Sequence, residues 1–154
     1  MRVIILGFVS LILSLACYAQ SATELNIRSG DTFHQFDVEV ADTDELITLG
    51  LSNRDSLAEN AGVLFDFGSN STRPMSMQGI ALHLDILFIN QTGKILAIAR
   101  NAVPQSERPI GIGAPLRAVL ELNADTANSL GILPGDTVIH PLFGNLELAE
   151  NPAE

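Results

Sequence analysis

Asp85 makes the strongest demand on its surroundings of any residue in the chain. It stands inside the apolar run of residues 81–90, where a carboxylate is costly unless it is paired or hydrogen-bonded. One set of explanations is functional: a ligand-binding or acid/base group. The other is structural: a partner for Arg54 or Arg73, or a cap on backbone N–H groups. His83 lies two residues away on the same strand face, about 6–7 Å along the chain, and a His–Asp couple can orient a base. No nucleophile completes that couple, and Ser76 is merely nearby. The candidate ligand-binding set is therefore Arg54, Arg73, His83 and Asp85, with no catalytic residue identified. His34 and His140 are isolated, so the three histidines lack ligand spacing and no metal site is expected. No phosphate loop is present either, and no cofactor is implied. Glu121 is flanked by Leu120 and Leu122, an alternation that places it on the solvent side of a strand.

The elements that must position these residues are mostly strands. Phe36, Val38 and Val40 alternate with Asp37 and Glu39, and residues 62–67 are short and apolar. Leu82, Leu84, Ile86 and Phe88 fall on one strand face, with His83 and Asp85 on the other. Gln91-Thr92-Gly93 reads as a turn and residues 94–100 as the returning strand. Residues 116–122 give another strand, and Leu133-Pro134-Gly135-Asp136 a type II turn leading into residues 137–140. Two short helices interrupt the strands. One has capping-box spacing at Asp42 and Glu45, an apolar stripe at Leu46 and Leu49, and a stop at Gly50. The other is capped by Asn123 or Asp125 and ends at Leu130-Gly131. The expectation is a mainly β, compact sandwich- or barrel-like single domain with two short helices. Residues 104–115, with three Pro and two Gly, read as a long surface loop: a binding segment or a plain crossover.

The start of the chain carries the address. Arg2 precedes an uncharged apolar run from Val3 to Ala16, and small residues follow at Ala16, Ala19 and Ala22. The run is shorter than the ~20 residues that span a bilayer core, so residues 1–19 read as a secretory signal peptide cleaved after Ala19. Residues 20–35 form an N-terminal segment, 36–148 the domain, and 149–154 a frayed tail. Cys17 is the sole cysteine and permits a rival fate, a lipoprotein anchored there. Export to the periplasm or medium is the expectation, with membrane attachment only through the signal or that anchor.

Composition narrows the partners. The 154 residues carry 8 Lys and Arg against 18 Asp and Glu, a net charge of −10; losing Arg2 makes it more negative still. With no Lys/Arg-rich patch, the acidity argues against nucleic acid and anionic membrane surfaces as partners. The chain has no Trp, and its one Tyr falls in the signal, so aromatic sugar platforms are out of reach. A small polar ligand or an envelope protein remains.

The ordered pieces Phe36-Asp37-Val38-Glu39-Val40-Ala41, Gly50-Leu51, Arg54, Gly62-Val63-Leu64-Phe65, Arg73, Met77, Leu84-Asp85-Ile86, Gly93, Val119-Leu120-Glu121-Leu122, Gly131-Ile132 and Gly135-Asp136 resemble the family known as domain of unknown function 192. The resemblance spans residues 36–138. It implies a mainly β, sandwich-like fold, often exported in bacteria, and no activity. One stretch departs. Where the family pattern reads Trp-Met-Lys-Asn-Thr and then Ile-Pro-Leu-Asp, this chain has Ser76-Met77-Gln78-Gly79-Ile80 and Leu82-His83-Leu84-Asp85. If that polar stretch is the family's working surface, this member has lost or changed its work.

Three readings of function follow. The leading one is a non-catalytic binding or accessory protein of the periplasm or cell envelope. The alternative is a small hydrolase or lyase using Asp85 with His83. The third is a structural envelope protein whose family site has decayed.

Overall fold

A computed structural model describes residues 22–150, and the expected signal peptide with Cys17 lies outside the described residues. The fold is a seven-stranded curled sheet, a half-barrel, with three short helices. The strands are β1 (Thr23–Ser29), β2 (Thr32–Ala41), β3 (Ala61–Ser71), β4 (Leu84–Ile89), β5 (Ile95–Ala102), β6 (Leu116–Asn123) and β7 (Thr137–Ile139), in the spatial order β5-β4-β6-β3-β2-β1-β7. The mainly β expectation holds, as a half-barrel. Residues within 20–35 supply β1 and the start of β2, so the sheet begins earlier than residue 36.

All pairings are antiparallel except β2 with β3. A parallel pair needs a crossover, and here it contains α1 (Asp44–Leu49). Thr43, rather than Asp42, caps α1 by accepting the Leu46 amide at 3.3 Å, and Gly50 ends it. The other helices are α2 (Thr126–Ser129) and α3 (Glu147–Glu150), the latter in the stretch where a frayed tail was expected to begin. A 3₁₀ turn at Pro141–Phe143 lies between them.

The curl brings the two edges together. Val138 donates to the Gly93 carbonyl at 2.7 Å and Ile95 to Asp136 at 2.9 Å. Gly93 makes this approach possible: its φ is +84°, and a Cβ there would strike the Val138 carbonyl oxygen.

The curl also creates two apolar cores. The inner one gathers Leu25, Ile27, Phe36, Val38, Leu64, Leu87, Ile89, Leu120 and Leu122 from across the sheet. The outer one holds Val63, Phe65, Leu84, Ile86, Phe88 and Val119 beneath covering segments that include Leu51, Met75, Met77 and Ile80. Strands β4 and β6, interior in the sheet, are therefore covered on both faces, and every residue of β4 is buried.

Candidate functional site

Asp85 is fully buried. Its Oδ1 accepts the Asn101 amide and its Oδ2 the Ala127 amide, each at 2.9 Å. The first bond falls where the β4–β5 register slips between Leu84 and Ile86, so the side chain takes up an amide that the irregular ladder releases. The second caps α2, whose own leading residue Asp125 makes no side-chain cap bond. Asn123 is also occupied elsewhere: its amide group donates to the carbonyls of Leu57 and Ala58 at 3.1 and 2.9 Å.

The other three sequence candidates are dispersed. Arg54 forms a bidentate pair with Glu39 at 2.7 and 2.6 Å. That hydrogen bonding holds the Glu39 carboxyl below its usual range and the Arg54 guanidinium above its own. His83 is exposed, and its Nδ1 lies 2.8 Å from Asn101 Oδ1. Asn101 thus touches both residues, its amide on Asp85 and its side chain on His83, while no direct His83–Asp85 bond forms. Arg73 is exposed and makes no ion pair among the described residues. Arg73 lines a cavity, and the three cavities described here include none of the other three residues.

That cavity has a volume of ≈ 260 Å³ and holds the residue that sequence reasoning misplaces. Glu121 is 2% exposed, not solvent-facing. On β6 it shares a face with Val119, the face covered by the outer core, and it lies opposite Val63 of β3 and Ile86 of β4. No described residue bonds its carboxyl. Burial without a partner pushes its pKa from 4.5 to about 8, because desolvation disfavours the ionised form. Phe65, Phe67, Met75 and Ile80 supply apolar walls, and Ser52, Ser76, Gln78 and Arg73 supply polar groups.

The local sequence explains this wall. Gly50, at φ +48°, stops α1 and lets the chain pass close over Phe65, 3.3 Å from where a Cβ would stand. Residues 76–80 form a turn in which Ile80 donates to the Met77 carbonyl. The long loop pins that turn from outside: Gln105 Oε1 accepts the Gly79 amide at 3.0 Å, and Met75 and Ile110 exchange backbone bonds of 2.8 and 2.9 Å. Ser76 and Gln78, which stand where the family pattern has Trp and Lys, therefore face the same cavity as Glu121.

Two further depressions are lined by described residues. One of ≈ 360 Å³ adjoins the Glu121 cavity, sharing Ile47, Phe67 and Arg73, and adds Asp42, Asp44 and Asp66. The other, broad and ≈ 820 Å³, is lined by His34, Glu59, Asn123 and Asp125 among others. His34 Nε2 is buried there without a partner, but both acids are exposed. Glu121 is almost wholly buried, and its carboxyl opens only to the smaller cavity, which singles that cavity out. Among the described residues no group of three or more His, Cys, Asp or Glu side chains is placed to hold a metal ion, and no helix is long and apolar enough to cross a membrane.

Fold and cavity define a class: a small half-barrel β protein with an unpaired carboxyl buried beneath its outer covering. The chain belongs to the family domain of unknown function 192, described as Uncharacterized ACR, whose model matches residues 25–140. Among solved structures it is similar to a candidate transcription regulator from Sinorhizobium meliloti 1021. The identity is 36%, the TM-score 0.77, and the match covers 80% of this chain and 96% of that one. It is also similar to a protein of unknown function from Novosphingobium aromaticivorans DSM 12444, at 32% identity and TM-score 0.74, covering 77% and 85% of the two chains. No curated protein matches.

Proposed function

We propose that this is an exported, non-catalytic binding protein of the periplasm or cell envelope, and that the Glu121 cavity takes a small polar ligand. One observation carries the reading: a nine-tenths-buried carboxyl with no protein partner faces a cavity that also offers Ser52, Ser76, Gln78 and Arg73. Binding sites of this kind combine apolar walls with a few convergent polar groups. The rival hydrolase or lyase needs Asp85 to orient His83, but both Asp85 oxygens already accept backbone amides. The description of the Sinorhizobium relative as a transcription regulator gains no support here, because a net charge of −10 repels nucleic acid. A protein that had merely lost its family site gives no reason to retain an unpaired buried carboxyl.

The test is a thermal-shift screen of envelope metabolites against wild type and Glu121→Gln, with pull-down from periplasmic extract. At least one ligand should raise the melting temperature of wild type only. No ligand and no partner in either assay overturns the binding reading. Export is tested separately by fractionation and N-terminal sequencing. A mature chain beginning at Gln20 is expected, whereas lipid-modified Cys17 in the membrane fraction overturns soluble export.

A further inference from the structure

We infer that the Glu121 cavity binds a small organic ammonium ion, with the ammonium seated on the Glu121 carboxyl and the apolar body against Phe65, Phe67, Met75 and Ile80. The inference rests on the cavity being a binding site and adds the class of ligand.

The charges around the cavity favour a cation. The elements packed against Glu121 are β3, β4, residues 47–52 and residues 73–80. Among their lining residues the only charged side chain besides Glu121 is Arg73, which is exposed at the rim. Arg73 is shared with the adjoining depression, where Asp42, Asp44 and Asp66 lie. Arg117 engages Asp66 at 2.9 Å, while Asp42 and Asp44 are exposed and form no ion pair among the described residues. The approach is thus acidic on balance, as is the whole chain, and a cation is drawn in where an anion is repelled.

The size fits as well. A volume of ≈ 260 Å³ equals roughly nine waters at ~30 Å³ each, room for an amine of modest length. Phe65 and Phe67 are stacked with ring centroids 6.4 Å apart, and both line the cavity as a flat apolar wall.

Proton balance gives the inference its signature. The ammonium ion enters with its proton, and the neutral Glu121 carboxyl gives its own to solvent, leaving an ammonium–carboxylate pair. With Glu121 near pKa 8 in the empty protein, binding at pH 7 releases close to one proton. Affinity then rises about tenfold from pH 6 to pH 7 and levels off above pH 8.

Calorimetry decides the matter, using primary amines from propylamine to 2-phenylethylamine at pH 6, 7 and 8.5 in two buffers of different ionisation enthalpy. Controls are 2-phenylethanol and 3-phenylpropionate. The expected result is amine binding with proton release and the tenfold pH dependence, weakened at least tenfold in a folded Glu121→Gln. Gln78→Lys, which brings a protein ammonium into the cavity, should also weaken it. Amine binding that ignores pH or survives Glu121→Gln overturns the inference, as does no binding by any amine. If 2-phenylethanol binds as well as the amine at pH 8.5, the ammonium inference falls while the cavity remains a binding site. If the metabolite screen is empty as well, both fall.

Discussion

Replacing Glu121 with Gln should make the protein more stable, and increasingly so as pH rises. The carboxyl has a folded-state pKa of about 8 against an ordinary value of 4.5. Between those values the folded chain holds a proton that the unfolded chain has released. The contribution of this group to stability is therefore greatest below pH 4.5 and is lost as pH rises through 8. At about 1.4 kcal/mol per pH unit, the loss reaches about 3 kcal/mol at pH 7 and about 5 kcal/mol above pH 8. Gln has nearly the same shape and cannot ionise, so it escapes the whole penalty. At pH 5 the two proteins should differ by under ~1 kcal/mol. At pH 7 the Glu121→Gln variant should be ahead by about 3 kcal/mol, some 10 °C in melting temperature for a domain of this size. Urea unfolding followed by circular dichroism from pH 5 to 9 measures this directly, with an unchanged m-value confirming that the unfolded state is the same. Parallel stability curves for the two proteins would refute the reasoning, since Glu121 would then have to be solvated or paired.

Three further predictions test the frame around the cavity. Asp85→Asn leaves one acceptor for two backbone amides and should cost about 2–3 kcal/mol; an unchanged urea midpoint would instead return Asp85 to the functional candidates. Gly93→Ala combines a positive φ with a clash against the Val138 carbonyl, so a loss of at least ~1–3 kcal/mol is expected in the same assay, and amides at the β5–β7 contact should exchange faster. His140 is buried, and its Nδ1 accepts the Leu142 amide while Nε2 lies 3.1 Å from Thr23 Oγ1. Burial lowers its pKa, so the unfolded chain takes a proton first as pH falls below about 6.5 and stability is lost from there downward. His140→Asn keeps a capping oxygen and should remove that acid-side loss, read as melting temperature between pH 7 and 5.

Much of the sheet is legible in the sequence because one-sided strands advertise themselves. Phe36 and Val38 point inward while Asp37 is exposed, as their alternation requires. The turn at Leu133-Pro134-Gly135-Asp136 forms as read, with the Asp136 amide on the Leu133 carbonyl. β1 is harder to see, since Leu25 and Ile27 are the only apolar residues in its seven. Sequence reasoning misplaces Glu121 for a definite reason: alternation assigns polar residues to solvent only when one face of the sheet is wet. β6 lies between β3 and β4 with cores on both sides. Its near-continuous apolar run, residues 116–122 apart from Arg117 and Glu121, is the pattern of a strand buried on both faces, and it is the signal that could have found the site. The partners of Asp85 are not visible by any local rule, because its two amides lie 16 and 42 residues away.

The two buried carboxyls, on neighbouring strands, share one sheet but not one solution. Asp85 of β4 pairs with Leu122 of β6, and Glu121 of β6 with Ile86 of β4. One is satisfied by backbone amides from β5 and α2 and stabilises the register and the helix it caps. The other has no protein partner among the described residues, although the turn bearing Gln78 passes over its cavity. The family pattern has Lys where this chain has Gln78, so this member lacks the one protein ammonium that position could bring to the cavity. A fold able to satisfy Asp85 fully is not short of means to satisfy Glu121, and a buried polar group left open at a cost in stability calls for a reason such as a site kept for something outside the chain. The missing partner is therefore best sought among ligands that carry the positive charge themselves.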